Sequence, residues 1–117
     1  MKYIIDQIPP SNNRFIGRKN HWEYQRVKRN WQRLIALKCL PRPAKTPNKA
    51  VVTLTYYFPD NRRRDPDNYS GKMILDGLTR AGIIKDDSFH CIELVLKAKY
   101  DKQYPRTEIE IQGEENE

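Results

Sequence analysis

The chain has 117 residues, 38% of them apolar and 32% charged, with a mean hydropathy of −0.90 and a formal charge of +7. That length is one domain's worth and excludes a multidomain machine. With no run of 18 apolar residues there is no transmembrane helix, and the opening apolar stretch is too short and too broken by Asp6 to read as a signal peptide, so a cytosolic protein is expected. Cys39 and Cys91 stand far apart with no CxxC spacing, and His21 and His90 are equally isolated. Both thiols therefore read as reduced, buried, small hydrophobes rather than as metal ligands.

The charge is unevenly distributed. Residues 1–64 carry 15 Lys and Arg against 3 Asp and Glu, a balance of +12, whereas residues 65–117 carry 7 against 12, a balance of −5. A basic half joined to an acidic half points to a polyanion-binding surface with carboxylates set beside it.

Residues 2–5 (KYII) read as a short strand, stopped by Pro9 and Pro10. Residues 11–20 form a loop rich in Asn and Arg, with Gly17 as a flexible point. The spacing of Tyr24, Val27, Trp31, Leu34 and Ile35 predicts a helix over 22–38. Arg26, Lys28, Arg29 and Arg33 fall mostly off that stripe and give the helix a basic outer surface, either simply solvated or in contact with nucleic acid. Trp22 and Trp31 are expected in core or interface packing rather than as base-stacking platforms. Pro41 and Pro43 end the helix, and 41–48 is a connector.

Val52, Leu54, Tyr56 and Phe58 alternate within a strand over 50–58, closed by Pro59. A helix is expected over 68–81, with Asn68 as N-cap, Ile74, Leu75, Leu78 and Ala81 facing inward, and Gly82 closing its end. Two further alternating strands, Ile92 to Ala98 and Thr107 to Ile111, are separated by a DKQYP turn and read as an antiparallel hairpin. The order is β-α-β-α-β-β. The fold class is α/β or α+β, a mixed sheet of about four strands with two helices, in one domain over 1–112 followed by an acidic tail, 113–117, expected to be disordered.

Chemistry concentrates between Arg62 and Asp87. Asp65 and Asp67 flank Pro66, which fixes its own φ and biases Asp65 away from the helical region. Two stiffly held carboxylates suit Mg²⁺, which takes one or two protein carboxylates and keeps its other positions for water and phosphate oxygens. An EF-hand reading fails, because with Asp65 as position 1 the sixth residue is Ser70 and the twelfth is Asp76. The plain structural account is Asx turns and ion pairs with Arg62, Arg63 and Arg64. Asp86 and Asp87 form a second acidic pair that reaches the first only if the chain doubles back. Lys72 could pair with Asp76 at i, i+4, or could stand over a scissile phosphate and stabilise charge developing in the transition state. Arg62, Arg63 and Arg64 would then hold flanking phosphates.

PPSNNR (Pro9 to Arg14), RRRDPDN (Arg62 to Asn68), K-x-x-x-D-x-L-x-x-A-G (Lys72 to Gly82) and the pair Asp86-Asp87, in this order, resemble the RusA-type Holliday junction resolvases from about residue 8 to 100. The resemblance implies a Mg²⁺-dependent homodimeric endonuclease, with Mn²⁺ as a substitute ion, that cuts four-way DNA junctions in recombination and repair and is often phage- or prophage-encoded. It implies that Asp65, Asp67 and Asp87 bind metal, with Asp86 beside the third, and that Lys72 is catalytic. Asn12, Asn13, Arg14, Arg62, Arg63, Arg64 and Asn68 would contact DNA. Ser70-Gly71 looks like a one-residue insertion ahead of Lys72. The competing classes are a non-catalytic basic DNA-binding module and a less selective flap or fork nuclease.

Overall fold

The computed structural model describes residues 1–16 and 21–114. Four strands, β1 (Lys2–Ile5), β2 (Ala50–Phe58), β3 (Ile92–Tyr100) and β4 (Arg106–Gly113), and two helices, α1 (His21–Lys38) and α2 (Lys72–Arg80), follow one another in the expected β-α-β-α-β-β order. The class is α+β. The flexible point expected at Gly17 lies outside the described residues. Of the expected tail, Gly113 closes β4 and the Glu114 amide donates to the Lys49 carbonyl, while 115–117 lie outside the described residues.

The sheet order is β1-β4-β2-β3, with β2 and β3 parallel and β4 antiparallel to both β1 and β2. The hairpin expected between β3 and β4 does not form. α2 carries the chain from β2 across to a parallel β3, and β4 then returns past β2 to its other side. Thr107, Glu108, Ile109 and Ile111 of the interior strand β4 are buried, whereas β3, although richer in apolar residues, is largely open beyond Ile92 and exposes Glu93, Lys97 and Lys99, charges that suit an edge strand.

One row of side chains crosses all four strands: Tyr3 opposite Ile109, Ile109 opposite Leu54, and Leu54 opposite Leu96. This row and its neighbours, Val52 with Ile111 and Leu94, form the sheet face against which Trp31 and Ile35 of α1 and Ile74, Leu75 and Leu78 of α2 complete the core. The predicted stripe on α1 therefore points inward, with Tyr24, Val27 and Leu34 at its margin. Trp31 is core, but Trp22 is 80% exposed and is no part of it. Cys39 is buried, and that burial pushes its thiol up to about 11; Cys91 is only half-buried, and both are free thiols.

α2 begins later than the periodicity predicts. Asn68 does not cap it; it sits inside a 3₁₀ turn, Pro66–Tyr69, and the helix starts only after Gly71. Gly71 takes φ +82°, and a Cβ there would lie 2.3 Å from Leu54 Cδ1. Only glycine both turns left-handed and lets the chain press this close to β2. α2 crosses α1 at Gly77, where a Cβ would come within 2.8 Å of Ile35 Cγ1.

Candidate active site

Where β2 ends, Pro59 and Asp60 turn the chain into the arginine run. Asp60 Oδ1 accepts from the Arg62 amide at 3.0 Å and pairs with Arg64 Nη1 at 2.9 Å. The Arg62 amide, then the two guanidinium groups, hold the Asp60 carboxyl down to about 2. Arg62 and Arg63 reach solvent, but Arg64 is tucked in, its guanidinium 4.2 Å over the Phe58 ring.

Asp65 precedes the 3₁₀ turn with extended backbone (φ −101°, ψ 139°), as the following proline requires. Its Oδ1 meets Arg63 Nε at 3.2 Å, and both side chains remain accessible. Asp67, in the turn itself, is exposed, and its side chain bonds to no described residue. The turn is anchored from across the chain: Asn12 Nδ2 donates to the Asp67 carbonyl at 2.9 Å and to Ser70 Oγ at 3.2 Å. Asn12 thus commits its amide nitrogen to this anchor while the residue itself stays exposed. Of its neighbours in the 3₁₀ turn Asn12–Phe15, Asn13 is exposed and Arg14 is paired with Glu23 of α1.

Lys72 is the first residue of α2 and is exposed, without a hydrogen bond or ion pair to any described residue. The i, i+4 pair with Asp76 does not form. Lys28 of α1 takes that carboxylate instead, its Nζ 3.6 Å from Asp76 Oδ2. At that separation the contact is Coulombic rather than a hydrogen bond, and the oxygen is buried without a donor. Sequence reasoning missed this pair because its members belong to different helices.

α2 closes at Gly82, and Ile83 and Ile84 plug the chain back into the core before Asp86 and Asp87 emerge exposed. The chain does double back, but not far enough to merge the two acidic pairs. Asp65 lines a cleft with Tyr56, Tyr69 and Leu96, whereas Asp87 lines a separate groove with Leu75, Phe89 and Leu94. The two hollows adjoin along β3, where Leu94 and Leu96 are two residues, or about 7 Å, apart. Among the described residues no three of His, Cys, Asp and Glu come together in a group that could hold a metal ion. The donor chemistry of the Asp65–Asp67 loop still fits a hard divalent cation: two accessible carboxylates, one of them unpartnered.

No helix among the described residues is long and apolar enough to cross a membrane. The sequence model of one protein family, described as Endodeoxyribonuclease RusA, matches residues 7–112, nearly the whole chain. No curated protein matches it.

Proposed function

The chain belongs to the RusA endodeoxyribonuclease family, and from that membership we propose that it is a metal-dependent endonuclease that resolves four-way DNA junctions by paired nicks, in recombination and repair. The observation that carries the reading is the freedom of Lys72. Its ammonium stands unpaired just past the loop that bears Asp65 and Asp67, because Lys28 occupies the acid that would otherwise neutralise it.

Asp65 and Asp67 are the carboxylates that would hold Mg²⁺, or Mn²⁺ in its place, with Asp87 and Asp86 in the adjoining groove. Bound there, the ion supplies Lewis-acid activation of water and neutralisation of phosphate charge. The protein's own contribution is positional and electrostatic. Pro66 and Asn12 fix the carboxylate loop, Lys72 stabilises charge developing on the phosphate, and Arg62 and Arg63 hold neighbouring phosphates.

A two-fold enzyme matches a substrate that needs two symmetric nicks, so the active species is proposed as a homodimer. Its support is β3, a nine-residue edge strand that pairs with β2 and with no other described strand, beside the wholly exposed Phe89. One observation favours the rival reading of a purely DNA-binding module: the separation of Asp87 from Asp65.

A panel of synthetic four-way junction, fork, flap and linear duplex, incubated with Mg²⁺ or with EDTA, decides between them. Paired nicks in the junction with Mg²⁺ alone, abolished by Asp65→Asn while the gel shift persists, are expected. Shifted but intact strands throughout would leave a binding module, and equal cutting of forks and flaps a less selective nuclease.

A further inference from the structure

β3 is an edge of the sheet, and its sequence, IELVLKAKY, holds neither proline nor glycine to keep a further strand from pairing. The Cys91 carbonyl accepts from the Ala50 amide at 3.0 Å, and the Asp101 amide donates to the Phe58 carbonyl at 2.8 Å. Odd-numbered residues therefore turn their main-chain groups toward β2. Those of Ile92, Leu94, Leu96 and Ala98 point outward, where no described strand meets them. Side chains alternate as well. Ile92, Leu94 and Leu96 pack against the core on the helix side, the two leucines only in part, while Glu93, Val95 and Lys97 lie on the opposite face.

A second copy of this edge is its own complement. Set antiparallel across a two-fold axis at Val95, Leu94 meets the partner's Leu96, Ile92 meets the partner's Ala98 and Glu93 meets the partner's Lys97, each contact occurring twice. The outward-pointing residues then fall in hydrogen-bonded pairs, and Val95 meets the partner's Val95 in the closer, non-bonded kind. A slip of one residue would set outward groups against inward ones. A slip of two would set Val95 against the partner's Lys97 or the partner's Glu93. The charges that keep this edge from pairing promiscuously thus select one register with one partner.

That register acts on the carboxylates. Asp65 lines a cleft beside Leu96, Lys97 and Ala98, and Asp87 lines a groove beside Ile92, Glu93 and Leu94. These are the two triplets that the pairing sets side by side. Within one chain their centres, Glu93 and Lys97, stand about 13 Å apart along β3, whereas a paired strand lies only about 5 Å away. We propose that two copies pair through β3 in this register, and that Asp87 serves the Asp65–Asp67 loop of the partner subunit rather than that of its own chain. Within one chain no three of the described His, Cys, Asp and Glu residues converge on a metal position, as a site divided between two chains requires. The proposal rests on the nuclease reading for the role of the carboxylates, and it turns the separation of Asp87 from Asp65 into a property of the single chain alone.

The test uses the full-length protein. Val95→Cys should give a disulfide-linked dimer under mild oxidation, because facing residues of a non-bonded pair bring their Cβ atoms to about 4.5–5.5 Å. Lys97→Cys, whose two copies would stand about 14 Å apart, should not. Glu93→Lys should weaken the dimer about tenfold in sedimentation equilibrium by creating two like-charged pairs, and adding Lys97→Glu should restore it. Sharing of the site is read by Mn²⁺ binding, followed by electron paramagnetic resonance, with cleavage measured separately. Asp65→Asn and Asp87→Asn should each abolish tight Mn²⁺ binding. An equimolar mixture of the two should recover about a quarter of the wild-type sites, since about half the dimers are mixed and each of those holds one intact site. A mixture that recovers nothing, a Val95→Cys protein that stays unlinked, or a Glu93→Lys dimer as tight as the unaltered one would each overturn the proposal. Recovery of Mn²⁺ sites without any cutting of junctions would keep the shared site and sink the nuclease reading; Mg²⁺-dependent cutting without recovery would do the reverse.

Discussion

The Asn12 side-chain amide donates to the Asp67 carbonyl at 2.9 Å across 55 residues of sequence, and the same nitrogen reaches Ser70 Oγ at 3.2 Å. One side chain thus fastens the carboxylate loop to the segment ahead of α1. A residue that orients a ligand-bearing loop typically affects metal affinity by about 10–100-fold when removed. Asn12→Ala should therefore raise the Mg²⁺ concentration needed for half-maximal cleavage by at least about tenfold. Junction affinity in EDTA should change by less than about threefold, since only one neutral contact is lost. A large loss of affinity with an unchanged Mg²⁺ requirement would make Asn12 a DNA contact instead.

Lys72→Ala should cost far more in cleavage than in binding. A charge that acts at the reacting phosphate is worth roughly 10²–10³ in rate, whereas one phosphate contact among several changes the salt slope by only about one. Lys72→Arg retains the charge in another shape, so rescue by Arg marks simple electrostatics and failure to rescue marks proton transfer or tight geometry. Normal single-turnover cutting by Lys72→Ala at saturating junction would remove this lysine from the site.

Arg26, Arg29 and Arg33 lie exposed on α1, while Lys28 is drawn inward to Asp76. Three phosphate contacts from that face should contribute about −3 to the slope of log affinity against log salt, or roughly 50-fold of the loss for a fourfold rise in salt, on top of what Arg62, Arg63 and Lys72 add. Arg29→Ala should reduce the slope by about one, and Lys28→Ala should leave it unchanged while lowering stability. A flat salt dependence would place the DNA surface elsewhere.

The Asp60 turn gives a pH expectation with a definite sign. Its folded value of about 2 lies below the ordinary 3.8, so the bonds to Arg62 and Arg64 contribute stability above pH 4 and lose it as pH falls from about 4 to about 2. A carbon-detected NMR titration of the Asp60 carboxyl should show a midpoint near 2. A midpoint near 4 would mean that the turn is open in solution and that Arg64 is not held against Phe58.

Two glycines with similar backbone should respond differently to alanine. Gly71→Ala adds a Cβ at φ +82° and 2.3 Å from Leu54, so strain and overpacking together should cost about 2–4 kcal/mol in denaturant unfolding. Gly82→Ala, at φ +76° with nothing within 4 Å of the added carbon, should cost only the backbone strain, about 1–2 kcal/mol. Equal losses would show that the close approach of Gly71 to β2 has no energetic weight.

What the sequence disclosed and what it withheld divide along range. The alternation of Val52, Leu54, Tyr56 and Phe58 and the stripe through Trp31 and Ile35 depend on local geometry, and both lie where periodicity puts them. The DKQYP turn is an equally local signal, yet alternation says nothing about which strand is central, and Thr107, Ile109 and Ile111 are better buried between β1 and β2 than beside β3. Asn68 has the chemistry of an N-cap, but the fit of Gly71 against Leu54 decides where α2 begins. The Asp65–Asp67 loop was legible because Pro66 stiffens it from within. The Asn12 anchor and the Lys28–Asp76 pair were not, since each depends on where distant segments pack.

The insertion of β4 between β1 and β2 also sets a timetable. As the chain leaves the ribosome, β1, α1, β2, α2 and β3 all emerge before residues 106–113, yet β1 pairs with none of them and β2 lacks one neighbour until β4 arrives. Loop closure between segments about 100 residues apart must precede completion of the sheet, which is the slow kind of folding step. The nascent protein should therefore expose two unpaired strand edges until late in its synthesis, a stage at which chaperone capture competes with aggregation. On that schedule the Asn12–Asp67 anchor, though its partners are made early, is held in place only once the last strand has locked the sheet.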